Sequence, residues 1–285
     1  MMEQKLSGNK IKLIALDMDG TLLDSNKDLS ERNLEALNLA IKKGIKIIPS
    51  TGRPAAGLPQ KLLSNPHIRY SICSNGAAII DLKNKAVIHR KSLSRGMTLF
   101  LIDLLGDFDV HVDIFADGGI TTEEGNMRRL GEFIIPPNML PYIAETRTTV
   151  KDLKSYVKDE AEHIEKVNLF FKSIAHRTKV TELLGGVAGI AITSSLQVNL
   201  EINNIEANKG YGLRWLSEYL DISSKETMAI GDSSNDESML RTAGIAVAMK
   251  NSTDDIIALA DYITDSNDED GVEKAIKKFI NEKES

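Results

Sequence analysis

The chain has 285 residues, of which 42% are hydrophobic and 27% are charged, a composition typical of a folded globular protein with one or two domains. Lysine and arginine total 35 against 41 aspartates and glutamates, and the net charge of −6 argues against general binding to nucleic acid or anionic membranes. Cys73 is the only cysteine, no apolar run approaches the ~18 residues of a membrane span, and the first ten residues lack an apolar signal core, so we expect a cytoplasmic protein.

The N-terminal part of the sequence predicts two strands joined by a helix. Residues 11–16 are almost continuously apolar, which is typical of a buried parallel strand, and this run ends abruptly at Asp17. Ser30 is a suitable helix N-cap, and Gly44 predicts the end of that helix before a second apolar run at 45–48. This order predicts a β-α-β unit with polar residues at the carboxyl ends of its strands.

The pattern changes after a third predicted strand at 70–74, which ends in Asn75 and Gly76. Residues 77–89 have the pattern of a hairpin, with a polar turn between two apolar runs. Residues 90–195 then mix helical segments with alternating strands, which is typical of an α+β domain. We therefore predict that 90–195 is an insertion.

The β-α-β order returns near the C-terminus. The predicted segments are a strand at 197–202, a helix from 209, a strand at 227–230 and a strand at 245–248. We therefore assign residues 1–89 and 196–285 to one α/β core. Ligands of open α/β sheets bind at the carboxyl ends of the strands, so these ends are the candidate site.

Two carboxylates, Asp17 and Asp19, follow the first strand with one residue between them. Carboxylates so close in sequence repel each other unless a cation or a proton lies between them, and Mg²⁺ prefers such oxygen ligands. The alternative is a solvated turn of the Asp-x-Asp-Gly type. The position directly after a buried strand favours a functional site.

Two more carboxylates, Asp232 and Asp236, follow the strand at 227–230 and are expected at the same edge of the sheet. The alternative is that Ser234 or Asn235 simply caps the next helix. A cap requires only one small polar residue, so the pair of acids favours a metal or phosphate site.

Lys209 opens a predicted helix, where its charge opposes the partial positive charge of the helix N-terminus. A bound anion would remove this conflict, and the alternative is that the side chain extends into water. Thr51 and Gly52 follow the second strand and suit phosphate oxygens, although they are also common loop residues. Together with the carboxylates, these residues predict phosphoryl transfer, in which Asp17 attacks and Asp19 transfers protons.

Four motifs in this order resemble the haloacid dehalogenase-like hydrolases, most closely their Cof-type sugar-phosphatase branch. The motifs are Asp17–Leu22, Ser50–Arg53, Asn208–Gly210 and Gly231–Asp236. The resemblance implies a Rossmann-like core, with helices on both faces of a parallel sheet, and an inserted α+β cap domain that determines specificity. It also implies a Mg²⁺-dependent phosphatase that hydrolyses small phosphorylated metabolites, such as sugar phosphates, through an aspartyl-phosphate.

The resemblance implies a role for each motif residue. Asp17 is the nucleophile and a Mg²⁺ ligand, and Asp19 is the general acid/base that also binds the metal through its backbone carbonyl. Asp232 completes the protein ligands, and Asp236 supports the metal from nearby. The residues implied to hold the phosphate are Thr51, Lys209, Asn235 and, through their backbone amides, Met18 and Gly52.

Two other functions are compatible with these residues. A phosphomutase on the same core would return the phosphate to a sugar and would need an activating bisphosphate. A receiver-like regulatory module would be phosphorylated on Asp17 without turnover, but the long insertion favours an enzyme, because a lid excludes water from chemistry. We expect a small phosphorylated metabolite as the partner, and no motif specifies its identity or the oligomeric state.

Overall fold

The computed structural model describes residues 10–281. Residues 1–9, on which the expected absence of a secretion signal depends, and residues 282–285 lie outside this range. Among the described residues, no helix combines the length and the apolar composition that crossing a bilayer requires. Two compact units are present: one contains the chain up to Gly52, Leu58–His89 and the chain from Asn208, and the other contains Arg53–Gly57 and Arg90–Ala207.

Strands and helices alternate along much of the described chain. The strands are β1 (Leu13–Leu16), β2 (Lys46–Pro49), β3 (Tyr70–Cys73), β4 (Ala78–Asp81), β5 (Ala86–Arg90), β6 (His111–Ala116), β7 (Gly119–Glu123), β8 (Arg147–Val150), β9 (Ile164–Phe170), β10 (Ile190–Thr193), β11 (Asn199–Asn204), β12 (Thr227–Gly231), β13 (Ile245–Ala248) and β14 (Tyr262–Ile263). The helices are α1 (Glu31–Lys42), α2 (Gln60–Leu63), α3 (Arg95–Leu105), α4 (Glu124–Arg128), α5 (Leu140–Thr146), α6 (Leu153–Asp159), α7 (Ile174–Gly185), α8 (Lys209–Tyr219), α9 (Glu237–Thr242), α10 (Asp254–Leu259) and α11 (Gly271–Asn281).

A parallel five-stranded sheet with the order β14-β13-β12-β1-β2 forms the centre of the first unit. In β1, Leu13 and Ala15 belong to an apolar cluster with side chains of α8 and α9. The alternate residues Ile14 and Leu16 are also fully buried, so both faces of this strand are covered. Helix α1 packs against α11, and α8 packs against α9. The predicted Rossmann-like core with helices on both faces is confirmed.

Local sequence signals set the boundaries of α1. The Oγ atom of Ser30 accepts the backbone N–H of Asn33 at 3.1 Å, as an N-cap does. Gly44 follows the helix with a φ of 82°, a left-handed conformation that glycine adopts without a steric penalty. Both predicted helix boundaries are confirmed, and they direct the chain from β1 through α1 into β2.

The predicted hairpin after the third strand is also present. Strands β3, β4 and β5 form a separate sheet in this order, with β3 and β4 antiparallel. Ser50 forms a parallel bridge with Ile72 of β3, which holds this sheet beside the end of β2. Polar residues at the ends of β2 and β3 are therefore neighbours.

A six-stranded sheet with the order β10-β11-β9-β6-β7-β8 forms the second unit. Its strands pair in antiparallel fashion, except that β7 and β8 are parallel. One face of the sheet packs against α3, α6 and α7. The buried apolar side chains at this contact include Leu101, Leu105, Val112, Ile114, Val157, Val167, Leu169, Val180 and Leu184. The predicted α+β architecture of the inserted domain is confirmed.

Alternate residues of the same strands carry buried polar groups. His111 and Asp113 of β6, Asn168 of β9 and Glu201 of β11 are each at most 4% exposed. Buried polar groups are costly unless they are hydrogen-bonded or paired. These three strands therefore depend on polar contacts as well as on apolar packing.

The second unit ends at Ala207, whereas the predicted insertion ends at residue 195. Strand β11 causes the difference, because it pairs with both β9 and β10. Its residues Leu200 and Ile202 are buried in the apolar cluster of the second unit. Alternation in the sequence indicates a half-buried strand, but it does not specify the sheet that the strand joins.

Candidate active site

The carboxyl ends of β1, β2 and β12 meet at one edge of the parallel sheet. Leu16, the last residue of β1, lies opposite Pro49 of β2 and Ile230 of β12. The residues that closely follow these strands are Asp17, Thr51 and Asp232. The backbone N–H of Asp17 donates to the carbonyl oxygen of Ile230 at 3.0 Å, which extends the pairing of β1 and β12 into the site.

Lys209 is fully buried between two carboxylates. Its Nζ atom lies 2.5 Å from Oδ1 of Asp17 and 2.6 Å from Oδ1 of Asp236. Lys209 is the first residue of α8, which is capped by Asn208, whose side-chain oxygen accepts the N–H of Tyr211 at 2.8 Å. The alternative in which Lys209 extends into water is wrong, because its side chain is 0% exposed.

Asp17, Asp232 and Asp236 form a cluster of carboxylates, hereafter the acidic cluster. One oxygen atom of each lies within 4.8 Å of the other two. Oδ2 of Asp236 accepts the backbone N–H groups of Asp232 and Ser233, at 3.0 and 3.1 Å. Oδ1 of Asp232 accepts the hydroxyl of Thr21 at 2.8 Å. Backbone and hydroxyl donors therefore orient the carboxylates of Asp232 and Asp236.

Gly20 brings the loop after β1 close to the acidic cluster. Its φ is 85°, which other residues rarely adopt, and a Cβ atom at this position would lie 2.6 Å from Oδ2 of Asp232. A side chain at position 20 would displace the carboxylate of Asp232. This close approach is the physical reason for glycine in the Asp17–Leu22 motif.

The acidic cluster carries more negative charge than Lys209 balances. Burial raises the pKa of Asp17 well above its ordinary value, and the charge of Asp236 raises it further. Burial, and then the charge of Asp236, raise the pKa of Asp232 to about 7. Burial by itself lowers the pKa of Lys209, but Asp17 and Asp236 outweigh it and hold this pKa above its ordinary value. A divalent cation would favour the ionised form of all three carboxylates.

The donor set of the acidic cluster fits Mg²⁺. All three side chains offer carboxylate oxygens, which are the ligands that this hard cation prefers. The predicted metal ligands Asp17 and Asp232 are both in the cluster. Asp236, predicted to support the metal, is also present, but its two oxygens already accept hydrogen bonds from Lys209 and from backbone N–H groups.

Raising the pH from about 5 to about 8 is expected to destabilise the metal-free protein. Folding raises the pKa of Asp17 and of Asp232, so the folded protein keeps protons that the unfolded chain has released. The contribution of these two carboxyl groups to stability is therefore greatest below their unfolded-state pKa and is lost as the pH rises through their folded-state pKa. Mg²⁺ should restore stability at the higher pH, because it binds the folded state.

Thermal unfolding midpoints at both pH values, with EDTA or with Mg²⁺, measure this effect. The Asp232→Asn variant is the control, because it lacks one of the two titrating carboxylates. Its midpoint should depend less on pH in EDTA than that of the wild type. Equal pH dependence in the two proteins would contradict the assignment.

Asp19 forms an ion pair with Lys27. Its Oδ1 atom accepts a hydrogen bond from Nζ of Lys27 at 2.8 Å, and its side chain is 27% exposed. The acidic cluster contains no side-chain oxygen of Asp19. The two aspartates of the Asp-x-Asp pair therefore have different surroundings.

Asn75 connects two of the predicted phosphate-binding residues. Its backbone N–H donates to the carbonyl oxygen of Thr51 at 3.0 Å, and its Oδ1 atom accepts from Nδ2 of Asn235 at 3.2 Å. Ser233 donates to Oδ1 of Asn235 at 2.8 Å. Thr51, Asn75 and Asn235 are each at most 5% exposed, so these polar groups line the interior of the strand-end region.

A comparison with known families decides the assignment of the chain. The family model of the haloacid dehalogenase-like hydrolases matches residues 14–276. The chain belongs to this family. All four motifs of this haloacid dehalogenase-like hydrolase lie within the matched range.

Relatives of this haloacid dehalogenase-like hydrolase are named as phosphatases. A 5-amino-6-(5-phospho-D-ribitylamino)uracil phosphatase from Bacillus subtilis is 33% identical over 270 residues, which cover 95% of this chain and 96% of the relative. A pyridoxal phosphate phosphatase from Escherichia coli is 27% identical over 278 residues, which cover 94% of this chain and 98% of the relative. The solved structure of a subclass IIB sugar phosphatase has a TM-score of 0.78 at 25% identity, and the match covers 94% of this chain and 98% of that structure. The predicted family and the predicted enzyme class, a haloacid dehalogenase-like phosphatase, are confirmed.

Three residues at the site were not assigned from the sequence. Thr21 belongs to the first motif, and Asn75 follows a predicted strand, so strand-end position was a signal for both. Lys27 had no such signal. Its contact with Asp19 depends on the conformation of the loop that joins β1 to α1.

Proposed function

We propose that this enzyme is a Mg²⁺-dependent phosphatase that hydrolyses small phosphorylated metabolites, including sugar phosphates, through an aspartyl-phosphate on Asp17. The observation that carries the proposal is the buried contact of 2.5 Å between Asp17 and Lys209, beside two further carboxylates. One lysine, one candidate cation site and one positioned carboxylate are the parts that phosphoryl transfer needs. The named substrates of the relatives, which include pyridoxal phosphate, support a small phosphorylated molecule.

Asp17 is the proposed nucleophile. Lys209 holds Oδ1 of Asp17, and the Asp17 carboxylate attacks phosphorus to form the aspartyl-phosphate while the bond to the ester oxygen breaks. Asp19 donates a proton to that departing oxygen and then takes one from the water that cleaves the intermediate. Inorganic phosphate leaves, and Asp17 is regenerated as a carboxylate.

The other motif residues have proposed roles in charge neutralisation. Mg²⁺, when bound, would offset the negative charge of the acidic cluster and of the phosphate. Asp17 and Asp232, with the backbone carbonyl of Asp19, are the proposed ligands. Asp236 is proposed to act through Lys209 and the Gly231–Asp236 loop, because both of its oxygens already have partners. The groups proposed to hold the phosphate are the side chains of Thr51, Lys209 and Asn235 and the backbone amides of Met18 and Gly52.

The second unit is the proposed substrate-specificity domain. An insertion of this size has no role in a phospho-aspartate switch, whereas an enzyme needs residues that distinguish one phosphorylated metabolite from another. A cytoplasmic location is part of the proposal and depends on the single cysteine.

The proposed function is tested by multiple-turnover release of inorganic phosphate from p-nitrophenyl phosphate and from a panel of phosphorylated metabolites. A phosphatase releases many equivalents of phosphate per enzyme. A receiver-like module would release at most one equivalent, and a phosphomutase would produce an isomeric sugar phosphate only when a bisphosphate is present. Either of the last two results would overturn the proposal.

Removal of divalent cations with EDTA is expected to stop turnover, and added Mg²⁺ is expected to restore it. Without the cation, nothing offsets the negative charge that the acidic cluster and the incoming phosphate share, so the phosphate binds poorly. Initial rates before EDTA, after EDTA and after Mg²⁺ in excess of EDTA measure the effect. Full activity in protein from which metal has been removed would show that the metal assignment is wrong.

A further inference from the structure

Several hydrogen bonds stabilise the conformation of the loop between β1 and α1. Oδ1 of Asp24 accepts the backbone N–H groups of Asn26 and Asp28, each at 2.9 Å. The backbone N–H of Asp24 donates to the carbonyl oxygen of Asp28 at 3.0 Å, and that of Lys27 donates to the carbonyl oxygen of Asp24 at 2.9 Å. One aspartate thus organises a tight turn in which Lys27 is the third residue after it.

Contacts from a distant part of the chain hold this loop in place. Asp268 accepts the backbone N–H and the hydroxyl of Ser25 at 2.8 and 2.7 Å. Nδ2 of Asn267 donates to the carbonyl oxygen of Leu23 at 2.9 Å. The position of the Lys27 backbone is therefore determined by several hydrogen bonds, and none of them involves the Lys27 side chain.

Lys27 has a left-handed backbone conformation, with a φ of 68°. This conformation is unfavourable for a residue with a Cβ atom, and glycine would adopt it without that penalty. Its side chain forms an ion pair with Asp19, but both side chains are about one third exposed, at 31% and 27%. Exposed ion pairs add little stability, so stability alone is a poor reason for a lysine here. Strained residues often occur where function requires them.

We infer that Lys27 is a positioning residue for Asp19, an inference that rests on the proposed function of Asp19 as the general acid/base. The ammonium group has only donors, so Oδ1 of Asp19 is the acceptor in this pair. This hydrogen bond fixes the orientation of the Asp19 carboxyl group, which delivers a proton to the ester oxygen. When the P–O bond of the ester breaks, this proton moves to the departing oxygen, and the resulting carboxylate stays bonded to Lys27 until it takes a proton from the attacking water.

The inference is tested by kcat/KM for two substrates that differ in leaving group, because kcat/KM reports the step that expels it. Phenolate is a poor leaving group and needs the proton, whereas p-nitrophenolate leaves well without it. In Lys27→Met, kcat/KM for phenyl phosphate should fall by about 10-fold or more, and that for p-nitrophenyl phosphate by less than about 3-fold. The ratio of the two values does not depend on the fraction of enzyme that is folded.

Three further variants complete the experiment. Lys27→Arg, which keeps a donor, should return the ratio towards that of the wild type. Lys12→Met removes a similar exposed ion pair, with Glu226 at 2.7 Å, and should leave the ratio unchanged. Lys27→Met should change the ratio little further in an Asp19→Asn background, because both substitutions affect the same proton transfer.

An unchanged ratio in Lys27→Met, whether kcat/KM falls equally for both substrates or for neither, would overturn the inference and leave the proposed function intact. A ratio that changes as much in Lys12→Met as in Lys27→Met would also overturn it. Failure of the wild type to turn over either substrate would overturn the proposed function, and the inference with it.

Discussion

Replacing Asp17 with asparagine is expected to reduce turnover by on the order of 10³-fold or more. The amide is a poor nucleophile and a weaker ligand for Mg²⁺, but it has nearly the same shape as the carboxylate. No other described carboxylate occupies the same position at the end of β1 with a contact of 2.5 Å to Lys209. Steady-state rates with p-nitrophenyl phosphate and trapping of the phosphorylated enzyme after acid quench are the measurements.

The folded state of Asp17→Asn should survive. Lys209 keeps its second partner, Asp236, at 2.6 Å, and the substitution removes one buried negative charge from the acidic cluster. The thermal unfolding midpoint in EDTA at neutral pH should therefore be at least that of the wild type, because the pKa of Asp17 is raised by burial. This result would separate loss of chemistry from loss of structure.

The matched control is Asp255→Asn, the same substitution on an exposed residue in the first turn of α10. Its turnover should stay within about 2-fold of the wild type, because surface substitutions away from special contacts have small effects. Activity of Asp17→Asn above about 1% of the wild type would argue against covalent catalysis through this residue.

Replacing Arg147 with methionine is expected to destabilise the second unit by about 3–5 kcal/mol. Nη2 of Arg147 donates to Oδ2 of Asp113 at 2.9 Å, and the two side chains are only 3% and 0% exposed. Oδ1 of Asp113 lies 2.8 Å from Nε2 of His111, which is also fully buried. Burial raises the pKa of Asp113, but the charge of Arg147 and the hydrogen-bonded His111 outweigh it and hold this pKa well below its ordinary value.

The expected loss arises from the charge that remains. Without Arg147, the carboxylate of Asp113 stays buried with His111 and with Asn168, whose Nδ2 donates at 3.3 Å. Breaking a buried pair by removing one partner costs more than removing both, because the remaining charge is uncompensated. The double variant Arg147→Met with Asp113→Leu should therefore be more stable than Arg147→Met alone.

Hydrogen exchange of the amides in β6 and β9 is the measurement, because it reports on the second unit by itself. A loss of 3–5 kcal/mol corresponds to exchange that is roughly 10²–10⁴-fold faster for amides that exchange through opening of the unit. Arg128→Met is the control, since Arg128 forms an exposed pair with Glu124 at 3.4 Å, and it should change exchange by less than about 3-fold. Similar exchange in the two variants would show that the buried pair contributes no more than a surface pair.

The sequence by itself determined most of the architecture of the first unit and which of its residues lie at the strand ends. A nearly continuous apolar run is typical of a strand that is buried on both faces, and this placed β1 and, directly after it, Asp17. Cap residues such as Ser30 act within one turn of chain, so the limits of α1 were predictable from neighbours in sequence. Because parallel strands align their carboxyl ends, Thr51 and Asp232 were predictable as neighbours of Asp17.

Only the tertiary structure decided contacts between residues that are distant along the chain or that depend on an uncommon backbone conformation. Lys209 and Asp17 are 192 positions apart, and local helix electrostatics favoured a lysine in water. Two buried carboxylates reverse this preference, because their attraction for the ammonium group outweighs its desolvation. Strand β11 was detected but joined another sheet, since alternation identifies a half-buried strand and not its partners. Lys27 itself has a left-handed backbone conformation where it contacts Asp19, and no local propensity predicts this conformation for lysine.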